Sequence, residues 1–100
     1  MDETSEIARL SFLLERRLLE RGILSAEGNV VRTLPPDFLD RIDGIIENSI
    51  ELEGLLKIGV AVRHGEALSA PVANAAHMMI MEVCEAVFDP DELQAVLRTH

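Results

Sequence analysis

The chain has 100 residues, enough for one domain spanning residues 1–100, and its 48% apolar and 27% charged content is typical of a folded protein. Its 18 acidic and 9 basic side chains give a formal charge of −9, which argues against nucleic acid or an anionic membrane as the main partner. A single cysteine excludes an intrachain disulfide. The first residues are acidic where a secretory signal would be basic, and no apolar run reaches membrane-spanning length, so we expect a cytoplasmic protein.

The first predicted element is a helix over residues 5–21. Gly22 follows it as the residue type that commonly ends a helix. One apolar stripe at helical spacing is expected to face the core and consists of Ile7, Leu10, Leu14 and Leu18. A second apolar patch, about a third of a turn away, consists of Ala8, Phe12 and Leu19.

Residues 23–35 carry conflicting signals. Gly28-Asn29 is a turn signal, and Val30-Val31 is typical of a strand. A short hairpin is one possibility. An irregular loop is the other, because an isolated hairpin is marginally stable in water.

A second helix is predicted from Pro36 to Arg63, because Leu34-Pro35 breaks the chain and Pro36 suits a first helical turn. Gly59 is expected to permit a close helix approach, whereas Gly44 and Gly54 are interpreted as bends. A heptad seam runs through Phe38, Ile42, Ile45, Ser49, Leu52, Leu56, Gly59 and Arg63.

That second helix predicts a dimer. A helix of about 27 residues is ~40 Å long, whereas a compact domain of 100 residues has a diameter of roughly 30–35 Å. The helix would therefore overhang its own monomer, and a second copy of the chain is the simplest cover for the seam.

A third helix is predicted to run from Ser69-Ala70-Pro71 to about Phe88, and a short fourth helix to begin after Asp89. The signal for the fourth helix is a capping Asp89, Pro90 at the first position and Glu92 three residues after the cap. Its apolar residues are Leu93, Val96 and Leu97.

The third helix carries two apolar seams, which predicts contacts with two neighbours. One seam consists of Val72, Ala76, Met79, Val83 and Ala86, and the other of His77, Met81, Cys84 and Phe88. The second seam fits a dimer interface, a surface for a client protein, or the core. The methionines Met78, Met79 and Met81 fit an adaptable binding surface or a plain methionine-filled core.

The predicted fold is therefore all-α. We expect a bundle of three main helices and a short C-terminal helix that dimerises through the long second and third helices. The residues expected at protein interfaces are Phe38, Ile42, Ile45, Leu52, Leu56, His77, Met78, Met81, Cys84 and Phe88.

The sequence contains few residues that could support catalysis or metal binding. His77, Met81 and Cys84 have a spacing that could hold a soft metal ion, but Phe88 continues the same stripe, which favours apolar packing. Glu82 and Glu85 would raise the pKa of Cys84 and leave it an inert thiol. No nucleotide-binding loop or paired-cysteine motif occurs. We therefore expect no enzyme, no catalytic residue, no cofactor and no metal.

An acidic stripe, formed by Asp40, Asp43, Glu47 and Glu51, lies opposite the predicted seam of the second helix. It could imitate DNA or dock on a basic protein. Such runs of charge are usually the solvated side of a helix, which is the favoured interpretation.

Leu34-Pro35-Pro36, the long helix after it and the later methionine-bearing helix resemble the small all-helical quorum-sensing antiactivators of the TraM type. The resemblance covers residues 34–88 as a pattern, and no binding residue is carried over from it. It implies an all-α protein that binds a LuxR-type transcription activator and blocks it.

Three functions follow from these patterns. The first is a non-enzymatic regulator that acts by protein–protein binding, with a transcription factor as client. The second is a small acidic dimeric secretion-type chaperone, which would carry an effector segment wrapped on its surface. The third is a small helical enzyme or metal carrier, which would show a bound metal or a pocket of convergent polar groups.

Overall fold

The computed structural model describes the backbone of residues 3–98 and the side chains of residues 3–95. The regular elements in this part of the chain are helices, which confirms the all-α prediction. In chain order they are α1 (Glu3–Glu20), α2 (Pro36–Ile42), α3 (Ser49–Arg63), α4 (Ala70–Val87) and α5 (Pro90–Arg98).

Helix α4 occupies the centre of the fold and contacts each of the other four helices. Its most extensive contact is with α1, which also packs along α3. The stripe Ile7, Leu10, Leu14 and Leu18 of α1 is buried as predicted. The principal extents of the molecule are 35 × 28 × 26 Å. The core therefore lies where α1, α3 and α4 meet.

The end of α1 follows its predicted signal. Gly22 has φ +74°, a left-handed conformation that glycine adopts at little cost. Its N–H donates to the Leu19 carbonyl over 3.1 Å, and the Ile23 N–H donates to the Leu18 carbonyl over 2.9 Å. These two bonds satisfy carbonyls at the helix end and turn the chain so that Ile23 and Leu24 enter the core.

The ambiguous segment after α1 is a hairpin in its smallest form. Leu24 and Val30 form one antiparallel bridge, closed by hydrogen bonds from Ser25 N–H to Asn29 O and from Val31 N–H to Ile23 O, both 2.9 Å. The Val30 N–H points the other way and donates to the Glu53 carboxylate on α3 over 3.0 Å. The hydrogen bond to α3 therefore stabilises the hairpin in addition to the hairpin's own backbone hydrogen bonds.

The prediction of one helix from Pro36 to Arg63 is wrong. The chain leaves the helical conformation after Ile42, where Gly44 has φ +84°, and α3 begins afresh after Asn48. The Asn48 side chain accepts a hydrogen bond from the Glu51 N–H over 3.0 Å and caps the new helix. The left-handed conformation of Gly44, which glycine adopts at little cost, and the cap from Asn48 therefore account for the break, and Ile42 and Ile46 on either side of Gly44 both remain buried.

This break removes the geometric reason for a dimer. Helix α3 has 15 residues, so it is about 22 Å long and fits within the 35 Å extent of the molecule. The heptad seam is likewise divided between two helices. Among the described residues, no helix is both long and apolar enough to cross a membrane.

The starts of α4 and α5 follow their predicted signals. The Ser69 hydroxyl accepts from the Val72 N–H over 3.4 Å at the start of α4. At α5, the Glu92 carboxylate reaches back to accept from the Asp89 N–H over 3.1 Å. Leu93 of α5 is buried against the core. Val96 and Leu97 have side chains outside the described residues.

Candidate protein-docking surface

Helix α4 has two sides of different character. Its inner side is buried and consists of Ala73, Ala76, Ile80, Val83, Cys84 and Val87. The opposite side faces solvent, because its residues Val72, Ala75, Met78, Glu82 and Glu85 are all exposed.

Much of the solvent side of α4 is apolar. Met78 is 60% exposed and Val72 is 45% exposed. Ala75 is exposed between them and Met79 is half-buried. Because residues three and four apart are neighbours on a helix, these four side chains form one strip. We call the strip Val72, Ala75, Met78 and Met79 the outer face of α4.

The outer face lies in an uncharged stretch of the chain. No Asp, Glu, Lys or Arg occurs from Ala67 to Met81, although 27% of the whole chain is charged. A helix that is apolar on most sides is normally buried. An exposed apolar strip of this kind is typical of a surface that another protein covers, and methionine side chains adapt to the shape of a partner.

The outer face ends in acidic side chains. Glu82 and Glu85 follow Met78 at four and seven residues, so they continue its side of the helix, and both are exposed. Neither of them forms an ion pair with another described residue. The surface therefore combines an apolar strip with negative charge at the C-terminal end of α4.

His77 lies on the flank of α4 that faces α1. Its Nδ1 is 3.7 Å from a Glu3 carboxylate oxygen and its Nε2 is 3.6 Å from a Glu6 carboxylate oxygen. Its side chain is half-buried where α4 meets the N-terminal turns of α1, and its Nε2 has no hydrogen-bond partner among the described residues, so His77 forms the edge of the docking surface.

The structure separates the ten residues that the sequence placed at interfaces. Met78 is on the outer face of α4. Ile45, His77 and Met81 are half-buried. The other six are buried in the core of the chain itself and are Phe38, Ile42, Leu52, Leu56, Cys84 and Phe88. The second seam of α4 therefore packs mainly within the monomer.

Cys84 is the buried thiol that the sequence predicts. It is fully buried, and this burial, with a smaller effect from the negative charge of Glu85, raises its pKa to about 12. A thiol with such a pKa is protonated at neutral pH and is a poor nucleophile and metal ligand. Among the described residues, no three histidine, cysteine or acidic side chains form a group that could hold a metal ion.

A second exposed apolar patch lies on α1. Phe12 is 49% exposed and Leu19 is 45% exposed. The Arg63 guanidinium lies 5.9 Å from the centre of the Phe12 ring, so α3 covers part of this patch. Phe12 and Leu19 belong to the second apolar patch that the sequence indicates on this helix, and the third member, Ala8, is half-buried.

The acidic stripe lies around the connection between α2 and α3. Asp40, Asp43, Glu47 and Glu51 border a depression of about 730 Å³ at the surface. The Glu51 carboxylate accepts from the Glu47 N–H over 3.0 Å, so part of the stripe stabilises the start of α3. The stripe no longer follows one helix, because the predicted long helix is divided.

Sequence reasoning missed two of the four residues that make the outer face prominent. It placed Val72 only in a seam toward a helical neighbour and gave no role to Ala75, whereas Met78 and Met79 were among the methionines that it connected with an adaptable surface. The uncharged run from Ala67 to Met81 was the available signal, because a helix with apolar residues on every side leaves some of them exposed in a small domain.

Comparisons with known proteins add no relationship: no protein-family model, curated protein or solved structure matches the chain.

Proposed function

We propose that the protein is a non-enzymatic regulator that acts by binding another protein through the outer face of α4. The observation that carries the proposal is the exposure of Met78 and Val72 within an uncharged stretch of the most central helix. Solvent exposure of such side chains costs free energy, and a partner that covers them recovers about 25 cal/mol per Å² of apolar surface.

The proposed client is a transcription activator of the LuxR type, which the protein blocks as a cytoplasmic antiactivator in quorum sensing. Two features of the resemblance to antiactivators of the TraM type support this client, the Leu34-Pro35-Pro36 motif and the methionine-bearing helix α4, whereas the long helix of that pattern is divided here into α2 and α3. A formal charge of −9 agrees with a protein that acts on a DNA-binding protein and does not itself bind DNA.

The proposal includes a homodimer on a surface other than the predicted one. The exposed apolar side chains Phe12 and Leu19 of α1 supply that surface. Charges of both signs, from Arg16 and Glu20, flank Leu19, so a second copy meets less like-charge repulsion there than at the acidic end of α4.

A gel-shift experiment tests the proposed function. A LuxR-type activator is bound to its DNA site, and the protein is added at increasing concentration. We expect the activator to leave the DNA, and the protein alone to give no shift with the same duplex. An activator–DNA complex that survives a large excess of the protein would contradict the proposed client.

A further inference from the structure

We infer that the partner segment that docks on the outer face of α4 is an amphipathic helix with basic residues beside Glu82 and Glu85. This inference rests on the proposed function, because it assigns a chemical class to the partner of the same surface.

The shape of the surface indicates a helix. Val72, Ala75 and Met79 repeat at intervals of three and four residues, which makes a ridge along α4. The small Ala75 leaves a gap between the larger Val72 and Met78, where a side chain of a second helix fits. From Val72 to Glu85 the surface is about 20 Å long, which matches a partner helix of about four turns.

The charges indicate a basic partner. Glu82 and Glu85 are exposed at one end of the surface, and no described residue forms an ion pair with either of them. Lysine or arginine side chains at the end of an incoming helix would neutralise both carboxylates while its apolar side covers Met78. The formal charge of −9 attracts the same partner from a distance.

The same charges disfavour the other occupants of this surface. A second copy brings a charge of −9 and two more carboxylates, so it is repelled at this end of α4. Duplex DNA and anionic lipid vesicles are repelled for the same reason. A basic helix is the occupant that satisfies both the apolar strip and the acidic end.

Two stapled helical peptides test the inference. Both have 16 residues and the same leucine and alanine face; one has two lysines at each end and the other has two glutamates at each end. Charges at both ends place one pair beside Glu82 and Glu85 in either orientation of the peptide. Binding is measured by fluorescence anisotropy at about 20 mM and about 0.5 M salt.

We expect the lysine peptide to bind about tenfold more tightly at low salt, which corresponds to about 1.4 kcal/mol. The difference should shrink to within about twofold at high salt, where charges on the surface are screened. It should shrink equally in the double variant Glu82→Gln/Glu85→Gln. The control variant Asp40→Asn/Asp43→Asn removes the same charge elsewhere and should keep the tenfold preference.

Three results would overturn the inference: equal binding of the two peptides, binding of neither peptide, or the same loss of preference in both double variants. The last result would mean that net charge alone attracts the lysine peptide. Each of these results leaves the gel-shift test of the proposed function to be decided separately, because that test uses the LuxR-type activator and no peptide.

Discussion

Ser11 on α1 lies directly against Gly59 on α3. A β-carbon placed on Gly59 would come closer to Ser11 Cβ than the 3.0 Å limit of real contacts. The Ser11 hydroxyl accepts from Arg63 Nη1 over 2.7 Å, and Arg63 also pairs with Glu15. The close approach that Gly59 predicted therefore exists, but it joins two helices of one chain.

Substitution of Gly59 by alanine is expected to destabilise the fold. The clash with Ser11 forces α1 and α3 apart and costs about 1–3 kcal/mol, which exceeds the gain of up to about 1 kcal/mol in helix propensity. Gly54 is the matched control, because open space surrounds it in the same helix. Urea unfolding should show Gly59→Ala less stable and Gly54→Ala more stable than the original protein. A stabilised Gly59→Ala variant would contradict this packing.

Helix α5 is held to α1 by a cluster that no local sequence signal predicts. The Arg17 guanidinium pairs with Glu92 and lies 4.6 Å from the centre of the Phe88 ring. The hydrogen bond from Arg17, followed by the hydrogen bond from the Asp89 N–H, holds the pKa of Glu92 below its ordinary value of 4.5.

The lowered pKa of Glu92 gives a pH dependence. Because the native pKa is below the unfolded one, the contribution of Glu92 to stability is present above about pH 4.5 and is lost as the pH falls through the native pKa. We expect Glu92→Gln to lower Tm at neutral pH, and the difference to vanish below the native pKa. Glu85→Gln removes a charge from an exposed position without an ion pair and is the control. An equal Tm difference at all pH values would contradict the pairing.

Leu52 and Ile50 distinguish core from surface on one helix. Leu52 is fully buried, whereas Ile50 is 81% exposed. Leu52→Asp should unfold the chain, because a buried carboxylate and the lost apolar contacts together cost about 5 kcal/mol, a large part of the stability of a small domain. Ile50→Asp should retain the circular-dichroism melt. A folded Leu52→Asp protein would show that α3 faces the other way.

The proposed homodimer can be tested by sedimentation equilibrium. We expect about twice the chain mass of 11.0 kDa at micromolar concentration, and a shift toward the monomer in Leu19→Lys. The variant should remain folded, because Leu19 is 45% exposed. A monomer at every concentration would refute the homodimer. It would not affect the proposal that the outer face of α4 binds a partner protein.

Helices α1, α4 and α5 could be predicted from the sequence because residues next to their ends start or stop each helix. Gly22, Ser69 and Asp89 end or begin a helix through hydrogen bonds within a few residues, which a sequence displays directly. The sequence indicated a bend at Gly44 but not a complete break, because the heptad spacing continues across it, and the bend expected at Gly54 does not occur, because Gly54 lies within α3. Ile42 and Ile46 are four residues apart and would share one side of a straight helix as well, so the apolar pattern does not distinguish the turn from a helix.

The candidate surface was predicted in part. Met78 and Met81 were named from their type and spacing, but spacing alone does not tell which side of a helix its neighbours cover. Cys84 and Phe88 share the seam of Met81 and are buried, because α1 lies over that side with Arg17 on the Phe88 ring. Pairs such as Arg17 and Glu92 are 75 residues apart and have no signal in the sequence.

The most direct test of the account is the affinity of the LuxR-type activator for Met78→Lys, measured by isothermal titration calorimetry beside Ile50→Lys. Both variants place a lysine at an exposed apolar position, and both should keep the original melt. We expect Met78→Lys to weaken binding by at least about tenfold, or 1.4 kcal/mol, and Ile50→Lys to bind as the original protein does. Unchanged binding by Met78→Lys, or an equal loss in both variants, would contradict the outer face of α4 as the docking surface.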